Sequence, residues 1–288
     1  MIPDAIRQQL RQKLGAQIDN IHSVSGGSIN RAAKLTLSDG TSCFLKWNTS
    51  ADPDMFVKEK RGLKLLAGAD TKLRIPSTLA VGKTTDDTGY LAMEYISEGR
   101  SIDHSAEDFG RQLAALHKHQ AKKYGLNHNN YIGKLPQSNQ QHKEWIDFFI
   151  NERMEPQLRM ASDAHKLGSE TIAHFKAMYK QLPDIFPEEP ASLLHGDLWG
   201  GNYFYDNQGR ATIFDPAVYY GHREIELAFT HLFGGFSRCF YRAYKEAYPL
   251  QSGLKHRKDI YNLYPLLVHT NLFGGSYARQ VQTIVSRF

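Results

Sequence analysis

His195, Asp197 and Asn202 stand in the pattern H-x-D-x-x-x-x-N, and Asp215 follows across a short hairpin. These residue types suit phosphoryl transfer. That chemistry needs an acid–base group beside an attacking hydroxyl and oxygen ligands for Mg²⁺. Asp197 is the expected base. Tyr203–Tyr205 and Ala211–Phe214 read as strands closed by Asp206–Asn207–Gln208–Gly209. A hairpin brings its two ends together, so Asn202 and Asp215 are expected side by side as Mg²⁺ ligands. Ser192–His195 reads as the strand leading in, and Gly200 and Gly201 allow a tight loop. His195 reads as a structural hydrogen-bonding residue, because Asp197 already supplies the base.

A nucleotide also needs a cation on its phosphates. Lys46 lies in the second strand of a hairpin, Ala32–Leu37 and Thr41–Trp47, turned by Ser38–Asp39–Gly40. Its expected anchor is Glu59, on a helix from Asp54 to about Ala67 with Phe56, Leu63 and Leu66 in one stripe. Gly26, Gly27 and Ser28 form a turn before this hairpin whose N–H groups suit phosphate oxygens, although the run is not a complete phosphate-loop motif. Met93, Glu94, Tyr95 and Ile96 are expected to present backbone groups to an adenine. Trp199, inside the Asp197 loop, reads as a core anchor or as a platform for the apolar face of a substrate. His222, Arg223 and Glu224 follow Asp215 closely and are expected near the substrate. The implied cofactors are ATP and Mg²⁺.

The chain's 288 residues suffice for two lobes sharing a cleft, and 41% hydrophobic residues suffice for its core. Ile2, Ile6, Leu10 and Leu14 recur at helical spacing. They predict an amphipathic helix rather than a signal peptide, although its few acidic residues are also a transit-peptide trait. No apolar run reaches the roughly 20 residues of a membrane span. The net charge of +5 is scattered, which argues against nucleic acid and suits a polyphosphate cleft. Cys43 and Cys239 form no metal spacing and predict free thiols in a reducing cytoplasm.

Strand signals crowd the first part of the chain: Ile75–Val81 and Tyr90–Ile96 join the hairpin. Helical signals dominate afterwards, beginning at Ser105 with an expected cap, at Trp145, and from Ser169 to about Gln181. Pro183–Pro190 is expected to end the last of these. Aromatic-rich helices follow Glu224. The expected fold class is α+β: a small antiparallel-sheet lobe over 1–95, a larger mainly helical lobe over 96–288, and a hinge near 93–99.

The run from His195 to Asn202, and then Phe214-Asp215-Pro216-Ala217-Val218-Tyr219-Tyr220-Gly221-His222-Arg223-Glu224, resembles the fructosamine kinase (ketosamine 3-kinase) family. Supporting stretches are Ser25–Asn30, Met55–Phe56 with Glu59 and Gly62–Leu63, and Leu272–Gly275. The resemblance implies a protein-kinase-like two-lobed fold. It also implies ATP-dependent phosphorylation of the 3-hydroxyl of a free or protein-linked ketosamine, after which the adduct breaks down and frees the amine. On that resemblance Asp197 is the base, Asn202 and Asp215 hold Mg²⁺, and Lys46 with Glu59 anchors the phosphates. Some eukaryotic members carry Cys where this chain has Ser28, so a disulfide switch there is not carried over. An aminoglycoside- or choline-type kinase is the alternative, and a nucleotide-binding module without catalysis is disfavoured by the full set of four residues. No nucleic-acid or membrane partner is expected, and a monomer is favoured.

Overall fold

The computed structural model describes residues 2–24, 30–50 and 52–288. The expected turn at Gly26, Gly27 and Ser28 lies outside them. Helix α1 (Asp4–Leu14) buries Ile6 and Leu10 of the expected stripe; Ile2 is buried just before it and Leu14 is only partly buried. It lies against a five-stranded antiparallel sheet built from β1 (Ile18–Val24), β2 (Arg31–Leu37), β3 (Ser42–Asn48), β4 (Thr78–Lys83) and β5 (Gly89–Glu94), in the order β1-β2-β3-β5-β4. Strand β1 was not legible in the sequence. It is an edge strand with mostly exposed positions, so it lacks the apolar alternation of a core strand. Helix α2 (Asp54–Ala67) packs Met55, Phe56 and Leu63 on Leu91 and Met93.

The larger part begins with α3 (Ser105–His117). Ser105 does not cap it. Its hydroxyl instead accepts from the Ile102 N–H and donates to the Gly209 carbonyl. The short strands β6 (Gln120–Ala121), β7 (Asn130–Ile132) and β8 (Leu135–Gln137) lead to α4 (Trp145–Phe148). A π-helical turn at Phe149–Met154 then joins α4 to α5 (Glu155–Asp163). That turn faces Arg153 inward, its guanidinium 3.8 Å over the Tyr219 ring. Helix α6 (Ser169–Ile185) runs through Pro183 to Ile185, one turn beyond the sequence expectation.

Next come β9 (Ala191–Leu194), the hairpin β10 (Tyr203–Tyr205) and β11 (Ala211–Ile213), and β12 (Tyr219–Gly221), which pairs with β9. The chain closes with α7 (Arg223–Leu232), α8 (Arg238–Ala247), α9 (Leu254–Phe273) and α10 (Ser276–Val285). A small sheet and a mainly helical body make this the kinase-like α+β arrangement. Cys43 and Cys239 are both free thiols. Among the described residues no helix is long and apolar enough to cross a membrane.

The β10–β11 hairpin is tied to both halves. Arg74 N–H donates to the Ala211 carbonyl at 2.8 Å, and Ile213 N–H donates to the Arg74 carbonyl at 3.0 Å. From the connecting segment, Gly99 N–H donates to the Tyr205 carbonyl at 2.7 Å.

Candidate active site

Strand β3 sits inside the sheet, with Lys46 opposite Ala32 of β2 and Leu91 of β5. The Lys46 side chain is almost wholly buried, so its ammonium needs anionic partners. It has two: Nζ lies 2.7 Å from Glu59 Oε1 and 2.7 Å from Asp215 Oδ1. Burial opposes the charge, but Asp215 and Glu59 outweigh it and raise the Lys46 pKa. Glu59 occupies the apolar stripe of α2, between Phe56 and Leu63, which is why its carboxylate faces inward. Gly62 lets the segment after Asp215 come close: a Cβ there would lie 3.1 Å from Val218.

Asp197 and Asn202 share a loop between β9 and β10. The Asn202 amide donates to the Asp197 carbonyl at 2.8 Å and to its Oδ2 at 2.9 Å. This turns the Asn202 Oδ1 away from Asp197. Asp215 has a left-handed φ of 56°, uncommon for a residue with a Cβ. Its neighbours fix it. Phe214 N–H donates to the Asn202 carbonyl at 3.2 Å, and Ala217 N–H donates to the His195 carbonyl at 2.9 Å. His195 is structural: its Nε2–H donates to the Phe214 carbonyl, leaving Nδ1 to accept from the Asp197 N–H. Burial lowers its pKa and keeps the ring neutral.

The sequence reading missed Glu226. Its carboxylate, buried in α7, accepts from Gly196 N–H at 2.7 Å, from His195 N–H at 3.3 Å and from His117 Nε2 at 2.8 Å. Burial alone would raise its pKa, but the His117 and Gly196 hydrogen bonds outweigh it and lower it. Glu226 therefore holds the Asp197 loop from below as an anion. The available signal was α7 itself, whose residues Arg223–Thr230 are all buried, so every charge on it requires a partner.

Burial and the neighbouring Asp215 raise the Asp197 pKa well above an ordinary carboxylate, against the lowering effect of the Asn202 bond. Glu59 and Asp215 both face the single ammonium of Lys46, and the Asp197 carboxylate lies close enough to Asp215 to feel its charge. That excess of negative charge and the free oxygens of Asn202 and Asp215 fit a hard divalent cation. Among the described residues no trio of His, Cys, Asp or Glu forms a closed metal cage. Mg²⁺ does not need one, because it binds through one or two protein oxygens, waters and phosphate.

The remaining expected residues divide. Met93 is buried against α2, and Glu94 binds Arg74 and Ser77 through its side chain. Tyr95 and Ile96 are half-buried where the sheet ends. Trp199 is 38% exposed on the Asp197 loop, edge-on to Phe233 at 6.0 Å.

His222, Arg223 and Glu224 do not fit a substrate role. Arg223 is held by both oxygens of Glu189 at 2.9 Å, and Glu224 by Arg257 at 2.7 Å. His222 is stacked on Trp145 with centroids 4.4 Å apart, and burial with nearby Arg257 and Arg223 drives its pKa down to about 3. The reason is strand direction. β12 is antiparallel to β9, pairing Tyr219 with Leu194 and Gly221 with Ser192, so each step beyond Tyr219 leads away from His195.

A sequence profile of the fructosamine kinase family matches residues 2–288. The chain belongs to the fructosamine kinase family. It is 37% identical over 269 residues to a "probable ketoamine kinase" of Enterococcus faecium, covering 92% of this chain and 94% of that one. It is 36% identical to the "protein-ribulosamine 3-kinase, chloroplastic" of Arabidopsis thaliana, covering 100% of this chain and 88% of that one. Among solved structures, a "putative fructosamine-3-kinase" of Thermobifida fusca superposes with a TM-score of 0.88 at 30% identity, covering 99% and 98% of the two chains. Aminoglycoside phosphotransferase APH(4)-Ia, in a ternary complex with ADP and hygromycin B, shares the fold at a TM-score of 0.66 and 18% identity, covering 98% of each chain.

Proposed function

We propose that this chain is an ATP-dependent kinase that phosphorylates a hydroxyl, the 3-hydroxyl, of a ketosamine. The observation that carries the reading is the Lys46–Glu59–Asp215 contact set on the same cleft as Asp197 and Asn202. Family membership and the ketoamine and ribulosamine kinase names of its relatives support the acceptor class.

In this reading Lys46, held by Glu59, neutralises the α- and β-phosphates of ATP. The 93–96 segment faces the adenine with backbone groups. Asn202 and Asp215 would hold Mg²⁺, which supplies charge neutralisation at the β- and γ-phosphates when bound. Asp197 takes the proton from the sugar hydroxyl as its oxygen bonds to the γ-phosphorus and the bond to ADP breaks. The raised pKa of Asp197 suits this step, because a weakly acidic carboxyl is a better proton acceptor. Trp199 offers an exposed aromatic face beside Asp197 for the apolar side of the substrate. Alignment of hydroxyl and phosphate supplies roughly 7–11 kcal/mol, and a positioned base adds about 10²–10⁴-fold. Phosphate at C3 is a better leaving group than hydroxide, so the product breaks down and releases the amine, a deglycation role.

ATP turnover measured with fructosamines, ribulosamines, aminoglycosides and choline tests this reading. Transfer to a ketosamine is expected. Transfer confined to an aminoglycoside or to choline would sink it.

A further inference from the structure

The family-specific run after Asp215 ends in His222, which the cleft does not use. Its ring opens instead on a cavity of about 610 Å³ in the helical lobe, lined by Tyr124, Glu144, Trp145, Phe186, Glu188 and His222 among others. None of Lys46, Glu59, Asp197, Asn202 or Asp215 lines it.

His222 is only 1% exposed, yet its ring lines this space. Its Nδ1 meets the Tyr261 hydroxyl at 3.1 Å on the core side. The Glu224 carboxylate, held by Arg257, lies near that hydroxyl. A proton on Nδ1, donated to the Tyr261 oxygen, is the tautomer that leaves Nε2 free to accept. The ring is neutral, held so by burial and the nearby Arg257 and Arg223. Nε2 is then a bare acceptor, pointing nearly opposite to Nδ1, and no protein donor meets it among the described residues.

The charges around the cavity have one sign to spare. Arg223 is paired with Glu189 and Arg257 with Glu224. Glu144 and Glu188 are exposed, and neither has an ion-pair partner among the described residues. Both carboxylates line the cavity, near Tyr124. The lining is also aromatic: Trp145, 3% exposed, stacks on His222, and Tyr124 meets His222 edge-on at 5.6 Å. An unpaired acceptor, two uncompensated carboxylates and aromatic faces together select a cation that carries N–H groups and an apolar stem.

We infer that this cavity is a second binding site, distinct from the kinase cleft, for a primary alkylammonium ligand, with His222 Nε2 as acceptor, Glu144 and Glu188 as counter-charges and Trp145 with Tyr124 as its aromatic wall. The inference does not depend on which alcohol the cleft phosphorylates.

The test is a titration of the full chain with n-butylammonium, following the three tryptophan indole N–H resonances by NMR. Trp47→Phe and Trp199→Phe assign the Trp145 signal by elimination. A saturable shift of the Trp145 resonance is expected. Tetramethylammonium, which has no N–H to give to His222, should bind several-fold more weakly. The double variant Glu144→Gln/Glu188→Gln should bind n-butylammonium about tenfold more weakly. Its thermal midpoint and kinase turnover should not change, which separates this site from the cleft. No saturable shift, a response confined to Trp199, equal binding of the two cations, or undiminished binding by the double variant would each overturn the assignment.

Discussion

Replacing Glu226 by Gln keeps the shape of the side chain and removes the charge beneath the Asp197 loop. Three donors converge on this carboxylate: Gly196 N–H, His195 N–H and His117 Nε2. A Gln has one acceptor oxygen, and its other end is a donor. If that oxygen stays with Gly196, the new NH₂ group faces His117 and His195. His117 can adapt by moving its proton to Nδ1, where the Tyr244 hydroxyl lies at 2.7 Å. The His195 backbone N–H cannot adapt and is left facing a donor. The loss of one bond to a charged acceptor and of one buried partner costs about 2–3 kcal/mol after such adjustment. For a chain of this size that lowers the thermal midpoint by roughly 3–5 °C. The orphaned N–H lies two residues before Asp197, so the base should shift, and a displacement near 1 Å costs up to about 10²-fold in turnover. Lys46 and Glu59 lie on other elements and keep their contacts. Glu226→Gln should therefore lower kcat about 10–100-fold while KM for ATP stays within about twofold. Calorimetry and steady-state kinetics on the same preparation read both numbers. Wild-type midpoint and kcat, or a change in KM for ATP alone, would refute the argument.

Gly196→Ala places a Cβ 2.1 Å from the Ala217 carbonyl oxygen at a left-handed φ of 84°. It should destabilise the fold by more than about 2 kcal/mol, read as a lower urea midpoint. Asp197→Asn should reduce kcat by about 10²–10⁴-fold with ATP affinity retained, and unchanged turnover would remove Asp197 from its role. Protonation silences a base, and the Asp197 pKa is raised, so the acid limb of kcat/KM should lie well above the ordinary carboxylate range; activity constant down to about pH 4.5 would contradict this. His222, with a folded pKa near 3, contributes stability that is intact above its unfolded value and lost as pH falls below it. Between pH 7.5 and 5 that loss amounts to about 2 kcal/mol. The wild-type thermal midpoint should therefore fall more over this range than that of His222→Gln.

What the sequence revealed was local. Asp197, Asn202 and Asp215 are set by one loop and one tight hairpin, so their spacing nearly dictates their meeting. Lys46 and Glu59 were legible for a related reason: a turn fixes β3, and a carboxylate within the apolar stripe of α2 faces the sheet. Chain direction was not legible. His222, Arg223 and Glu224 stand close to Asp215 in sequence, but the antiparallel pairing of β12 with β9 carries them away from it. Glu226 escaped notice because its partners, His117 and the backbone of His195 and Gly196, come from distant segments that no spacing rule connects. Strand β1 escaped because a solvated edge carries no apolar signature.

The hairpin bearing Asn202 and Asp215 at its two ends is stitched to Arg74 on one side and to Gly99 on the other. The two halves of the molecule are consequently not free bodies on a swivel. A swing wide enough to part them would pull on the same short ribbon whose ends carry the two proposed Mg²⁺ ligands. The width of the proposed nucleotide slot and the spacing of Asn202 from Asp215 should thus vary together, as a single mechanical coordinate.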